Sequence, residues 1–472
     1  MTREVERRAA DIERDGRERL EHFTDAENAR RFAADHRDDV HYNHAWHRWL
    51  IWDGARWADD ETGEIVRRAK ATVRGYFAEA AYTDDHDEDY RRRLVKHGSQ
   101  SESEPRLRAM ITLAQSEPGI PVKPEQLDAD PWALNFLNGT LDLRQGGDLR
   151  PHRRTDLITK LVPVNYKPDA RAPRFLSFLD EIFDRQADVI GFVQRALGYG
   201  LTGLTIEQAL FLLWGGGANG KTTLLRIFML LLGAYAQSAR AETLMEKRHD
   251  TIPNDIARLK GARFVGVVEA ENGHRFAEGL VKQLTGGDIV TARFMRAEYF
   301  DFIPTFKVYL ASNRKPIIRG TDHAIWRRIR LIPFMVTIAE EAQDKELAEK
   351  LAAEGEGILA WAVDGCRQWQ ADGLGLPEAV KKATQAYREE MDVLGQFIAD
   401  RCLEWPTAAV SKHMLYEIYR KWCADNGMQP KTQPAFSRLV KERPGITDDR
   451  VGHGRIHFWQ GIGLADADAG GR

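Results

Sequence analysis

Leu210-Phe211-Leu212-Leu213-Trp214, a short run without a polar residue, leads directly into Gly215-Gly216-Gly217-Ala218-Asn219-Gly220-Lys221-Thr222-Thr223, and a helical pattern from Thr222 to Leu232 closes on Gly233. The apolar run suits a strand buried on both faces, as strands of parallel sheets are. A glycine loop between such a strand and a helix turns backbone N–H groups inward at the helix N-terminus, where the macrodipole favours an anion. The GxxxxGK[ST] spacing therefore predicts an α/β nucleotide-binding core. Residues Gly215 to Thr223 cradle phosphates, Lys221 reaches the β- and γ-phosphates, and the Thr222 hydroxyl ligates Mg²⁺. A chance glycine loop is the alternative, and the strand and helix on either side argue against it.

Hydrolysis needs carboxylates on a neighbouring strand, to hold the metal's water shell and polarise the attacking water. Arg263 to Val268 reads as a buried strand and runs into Glu269 and Glu271. Glu269 is also a metal candidate, and which of the two is the base stays open. A further strand, Phe306 to Ser312, ends in Asn313, whose amide sits where ligands of open α/β sheets bind and could bond the γ-phosphate or the water. Arg327-Arg328 could supply an arginine to a neighbouring subunit's nucleotide, or form only a surface salt bridge. Between these strands Gly286-Gly287-Asp288 breaks a helix, and Ile289 to Met295 and Tyr299 to Ile303 make a hairpin with a basic tip. Lys282, Arg293 and Arg296 are the candidate DNA contacts there.

The 472 residues suggest about three domains. With 43% apolar and 29% charged residues the chain builds buried cores, and a balance of 68 basic against 71 acidic residues confines any nucleic-acid surface to a local patch. Cys366, Cys402 and Cys423 lack zinc-site spacing, an odd number suits a reducing cytosol, and no apolar run is long enough to span a membrane. Residues 1 to about 35 read as a charged, solvated helix carrying Arg7, Arg8, Arg17 and Arg19. Asp53-Gly54 marks a two-residue hairpin among Trp46, Trp49, Trp52 and Trp57, a cluster read as packing rather than base stacking. A helix follows from Val66 to Ala81. The acidic run Asp84 to Asp89 reads as a solvated loop rather than a two-metal site.

After Gly373 the pattern gives three helices, about Asp392–Cys402, Lys412–Asp425 and Gln433–Lys441, then a strand pair in ITDDRVGHGRIHFWQGI. This order suits a winged helix, with Lys431, Thr432, Gln433, Arg438 and Lys441 toward DNA and Arg450, His453 and Arg455 on the wing. A protein-docking module has much the same pattern. His453 and His457 read as surface or packing residues rather than metal ligands.

Together, GGGANGKTT, the strand ending at Glu269 and Glu271, the segment from Leu280 to Val308, the LASN strand and the WRRI pair resemble the superfamily 3 helicases. The similarity is to the helicase half of phage and plasmid primase-helicases, a group related to the poxvirus primase-helicase, and it covers about residues 195 to 335. It implies a multidomain α/β chain: an N-terminal α/β region (1–117), a helicase-preceding domain (118–185), an AAA+-like ATPase core (186–376) and a C-terminal winged-helix domain (390–472). By the same resemblance Lys221 and Thr222 stand in Walker A, Glu269 and Glu271 in Walker B, Asn313 is the motif C sensor, and Arg327 or Arg328 the finger in trans, with Arg328 preferred. The implied activity is an ATP- and Mg²⁺-dependent DNA helicase of a phage or mobile element. It acts in the bacterial cytosol, as a homo-oligomeric ring, a hexamer, on single-stranded and origin duplex DNA. Primer synthesis is not expected of this chain, since the polymerising domain found upstream in full-length primase-helicases is not evident in it, though a primase could be a separate polypeptide. An ATP-switched DNA-binding initiator without unwinding activity is the alternative.

Overall fold

The computed structural model describes residues 22–84, 87–144, 147–246, 254–268, 275–294, 298–318, 323–451 and 456–465. Arg7, Arg8, Arg17 and Arg19 of the expected first helix lie outside them, as do Asp85 and His86 of the acidic run.

Helices Asp25–His36, Glu64–Tyr82, Glu88–Ser101 and Glu104–Ala114 share a core with an antiparallel sheet of β1 (Val40–Asn43), β2 (Arg48–Trp52) and β3 (Trp57–Asp59). The hairpin expected at Asp53-Gly54 is present, with a longer turn. Residues 53 to 56 connect β2 to β3, because Asp53 Oδ1 accepts from the N–H groups of both Ala55 and Arg56 at 2.8 Å, and Trp52 faces Trp57 across the pair. Trp57 is buried and donates its indole N–H to the Arg154 carbonyl at 2.9 Å, Trp49 and Trp52 pack partly buried, and Trp46 is exposed. The cluster is packing. Glu88, from the acidic run, opens a helix and pairs with Arg92 at 2.6 Å on the surface.

A second antiparallel sheet, β4 (Ala133–Phe136), β5 (Gly139–Asp142) and β6 (Leu149–Arg150), lies against the central layer. That layer is a five-stranded parallel sheet. Its strands are β7 (Leu210–Trp214), β8 (Ala236–Arg240) and β9 (Phe264–Val268), then, after a hairpin of β10 (Val290–Ala292) and β11 (Phe300–Phe302), β12 (Lys307–Ser312) and β13 (Ile329–Pro333). The order is β13-β7-β12-β9-β8, so β12 separates the glycine-loop strand from β9.

Alternation along these strands explains why they read as unbroken apolar runs. Phe211, Leu213, Phe264, Tyr309, Ala311 and Ile332 point into a core built with helices Pro173–Ile182, Ala187–Leu201, Lys221–Leu232 and Gly355–Asp372. Leu210, Leu212, Val265, Val267, Val308 and Leu310 point into the opposite core, with helices Glu278–Gly286 and Glu378–Met391. Both faces are buried, as parallel sheets require. The first core also takes in Leu134, Phe136 and Leu141 of β4 and β5, so residues 118–185 share their interior with the segment that carries the parallel sheet.

After β13 the chain forms two helices, Leu347–Ala353 and Gly355–Asp372. Between them the Glu354 carboxylate accepts from the N–H groups of Arg174 and Phe175, both at 2.9 Å, and caps the helix that begins at Pro173. Beyond it, helices Val393–Arg401, Lys412–Asp425 and Gln433–Lys441 fall where their periodicity places them. Their sheet has three strands rather than two: β14 (Cys402–Ser411), β15 (Thr447–Val451) and β16 (Ile456–Leu464), in the order β14-β16-β15. β14 was hidden because Pro406 interrupts it, and its register shifts between Glu404 and Ala409, which is the usual accommodation for proline on an edge strand. Among the described residues no helix is long and apolar enough to cross a membrane.

Candidate functional site: a phosphate-binding loop and its neighbours

The glycine loop leaves β7 at the C-terminal edge of the sheet and enters the helix Lys221–Leu232 through Gly220 at φ 81°. A side chain at Gly220 would be strained, and its Cβ would also lie 2.5 Å from Ile182 Cγ2. Gly215 is glycine for space: a Cβ there would sit 2.1 Å from the Phe334 carbonyl oxygen. Gly216 and Gly217 have open space around them and, with Ala218, form the exposed crest of the loop. The loop is tied down at its sides. Asn219 donates to the carbonyls of Gly216 (2.8 Å) and Phe334 (3.2 Å), and the Ile338 N–H donates to the Ala218 carbonyl at 2.7 Å. No side chain caps the helix start, so its first N–H groups face the loop.

Lys221 is buried, and its ammonium donates to the carbonyls of Gly215 (2.9 Å) and Gly216 (2.7 Å) and to the amide oxygens of Asn219 (2.8 Å) and Asn313 (3.1 Å). These four oxygens are neutral. Burial, with no counter-charge against it among the described residues, pushes the lysine down to about 8. A phosphate oxygen placed at the same ammonium would supply the missing charge. Thr222 and Thr223, half-buried, follow in the first helical turn.

β9 and β12 run side by side to this edge, with Val268 opposite Ala311. Asn313, one residue beyond β12, is exposed and contacts Lys221 directly, so the strand end meets the glycine-loop motif. Glu269 and Glu271, which follow β9, lie outside the described residues. The two arginines at the start of β13 differ. Arg328 is buried in its own protomer, with Nη1 donating to the Ala324 carbonyl at 2.6 Å and Nε to Thr285 Oγ1 at 3.2 Å. Arg327 is exposed and lines a pocket of about 120 Å³ with Trp326, Thr384, Gln385 and Arg388. An arginine reaching another subunit must be at the surface, so the geometry favours Arg327, contrary to the preference for Arg328.

The hairpin expected between Ile289 and Ile303 is formed, with Val290 opposite Phe302 and Ala292 opposite Phe300. Arg293 lies 5.0 Å from the Tyr299 ring centroid, and Phe294 and Tyr299 are exposed beside it. Lys282 is half-buried on the helix before the hairpin, and Arg296 lies outside the described residues. In the C-terminal unit Thr432, Gln433, Arg438 and Lys441 are exposed, while Lys431 is half-buried. Arg450 is on β15; His453 and Arg455 lie outside the described residues, and His457 is exposed on β16.

Sequence reasoning missed Lys315, two residues past Asn313. Its ammonium sits 4.5 Å from the ring centroid of Trp214, the last residue before the glycine loop, and pairs with Glu390 on the helix Glu378–Met391. No local motif announces a contact between residues so far apart in the chain.

Comparison with known families gives two matches: D5 N terminal like over residues 29–184 and Poxvirus D5 protein-like over residues 389–442. Similar proteins include “Putative helicase L207/L206” of Acanthamoeba polyphaga mimivirus, 27% identical and covering 64% of this chain and 34% of that protein. “Putative helicase 022R” of Frog virus 3 is 26% identical and covers 72% of this chain and 43% of its own length. “Putative primase C962R” of African swine fever virus (isolate Tick/Malawi/Lil 20-1/1983) is 26% identical over 64% of this chain and 34% of its own length. The chain thus spans between about a third and two fifths of these relatives. In fold it is similar to the apo NrS-1 C terminal region, with a TM-score of 0.52 at 12% identity over 90% of this chain and 96% of that one.

Proposed function

We propose, from a chain that carries a D5 N-terminal-like and a poxvirus D5 protein-like segment and whose viral relatives bear helicase and primase names, that it is an ATP-driven DNA-translocating motor of DNA replication. The observation that carries this reading is the buried Lys221 ammonium, held among the described residues by neutral oxygens and joined to Asn313 at the mouth of a glycine loop. The strand order supports an AAA+-like core, since one strand separates the glycine-loop strand from the strand expected to carry the acidic residues.

In this reading Lys221 exchanges its carbonyl and amide partners for β- and γ-phosphate oxygens, and the free N–H groups at the helix start bind the same phosphates. Thr222 and Glu269 would hold Mg²⁺, which neutralises phosphate charge when bound. Asn313, released from Lys221, orients the attacking water, and Glu269 or Glu271 accepts its proton. Arg327 of an adjacent subunit in a homo-oligomeric ring, a hexamer, steadies the transition-state charge. Catalysis is then positioning and charge stabilisation.

The hairpin β10–β11 presents Arg293 to the phosphates of single-stranded DNA, with Lys282 and Arg296 as its companions. The three helices and the sheet β14-β16-β15 act as a winged helix, with Gln433, Arg438 and Lys441 toward duplex DNA and Lys431 at the helix start. Displacement of a labelled strand from a forked substrate tests the motor. ATP-dependent displacement by the wild type, absent in Lys221→Ala, is expected. Nucleotide-dependent DNA binding with no displacement would replace the motor by an ATP-switched initiator.

A further inference from the structure

The helix Glu378–Met391 touches the loop after β12, which begins at Asn313, and the arginine segment at once. On the loop side Glu390 pairs with Lys315, and Tyr387, fully buried, donates its hydroxyl to the Pro316 carbonyl. Lys315 is only 14% exposed, because its stem is enclosed with the ammonium 4.5 Å from the Trp214 ring centroid and 5.7 Å from that of Tyr387. On the arginine side the Tyr387 ring meets Trp326 edge-on at 5.1 Å, Thr384 Oγ1 accepts from the Leu331 N–H at 3.1 Å, and Thr384, Gln385 and Arg388 share the pocket with Arg327.

The same helix leads into the C-terminal unit through a fixed joint. Asp392 accepts from the Gly395 N–H at 2.9 Å, capping the next helix, and pairs with Arg443 at 2.6 Å, just past the helix Gln433–Lys441. Gln396 closes the joint by donating to the carbonyls of Glu389 (2.8 Å) and Glu390 (3.2 Å). A displacement at Asn313–Pro316 therefore has a short, hydrogen-bonded route to the base of that helix. A phosphate oxygen on the Lys221 ammonium would take the place that the Asn313 amide oxygen occupies, and so would displace the start of this loop.

We propose that Lys315 is a positioning residue for the Asn313 loop, and that the Lys315–Glu390 pair with the Tyr387–Pro316 bond couples occupancy of the glycine loop to DNA binding by the C-terminal unit. This rests on the nucleotide-motor reading. A ligand shifts an equilibrium only by its differential affinity for the two arrangements, and the coupling it produces is reciprocal. The pair must then hold in one nucleotide state and loosen in the other.

The test measures the affinity of the full chain for a labelled duplex and a labelled single strand, with and without a non-hydrolysable ATP analogue, alongside analogue affinity with and without DNA. Wild type is expected to show a change of about fivefold or more, equal in both directions, whereas Glu390→Gln and Lys315→Met lower it to about onefold and Lys315→Arg restores it. Analogue affinity of Glu390→Gln alone stays within about threefold of wild type, separating lost coupling from lost binding. A wild type that binds no analogue sinks the nucleotide reading, and the coupling with it. A wild type that binds both ligands but shows no coupling, or a coupling that survives in Glu390→Gln and Lys315→Met alike, overturns the coupling and leaves the nucleotide reading standing.

Discussion

At Lys221 the motif and the structure meet, and the residue carries a pH signature. Burial holds it at about 8, below its ordinary 10.5, so between those values the unfolded chain binds more protons than the folded one. The contribution of this group to stability therefore rises with pH across that window, and below it the cost of burying the charged form is fully present. Nucleotide needs that charged form. Affinity for an ATP analogue is thus expected to fall as pH rises past about 8, approaching tenfold per pH unit, in binding titrations from neutral pH upward. A Lys221→Met chain should bind weakly with no such slope. The glycines divide in the same concrete way. Gly220→Ala meets a positive φ and Ile182 together and should cost about 1–3 kcal/mol, read as a lower midpoint in thermal unfolding, whereas Gly217→Ala meets nothing and should leave the midpoint in place. The places of Lys221 in the glycine loop and of Asn313 at a strand end were legible from motif and strand alone. The choice between Arg327 and Arg328 was not, because adjacent residues at the start of a strand give no hint of which one the fold turns inward.

Among the elements, those with a clear period were legible: β7, β9 and β12 from their apolar runs, and the helices Lys412–Asp425 and Gln433–Lys441 to the residue. Others were hidden for physical reasons. β8, AQSAR, is an edge strand with only Ala236 buried, β14 carries Pro406, and the polar surface of the helix Glu378–Met391 masks the two buried positions, Val380 and Tyr387, that seat it. The joint between the antiparallel sheet β4–β6 and the parallel sheet also escaped notice, because it is made by a buried charge. Arg263 precedes β9 and donates to the carbonyls of Leu201 (2.8 Å) and Ala133 (2.7 Å), and more weakly to Asp130 (3.2 Å). Arg263→Met should cost about 2–5 kcal/mol, since it removes the side-chain donor from the Leu201 and Ala133 carbonyls, and urea unfolding of the full chain would show it. At the hairpin, Arg293→Ala should weaken single-strand binding and flatten its salt dependence by about one phosphate contact, with analogue affinity unchanged.

For the whole molecule the parallel sheet is the organising fact. Its C-terminal edge gathers the glycine loop, Asn313 and the end of β9, while Arg327 lies just before β13, at the opposite edge of the sheet. Under the proposed motor reading, a protomer built this way would complete its nucleotide site beside a second copy, in a ring. ATP hydrolysis by wild type, by Lys221→Ala and by Arg327→Ala titrated into wild type, each with and without single-stranded DNA, tests this most directly. The account predicts turnover raised by DNA, abolished in the lysine variant, and falling faster than the fraction of arginine variant in the mixture. Turnover indifferent to DNA, declining only in proportion to the variant added, would contradict it.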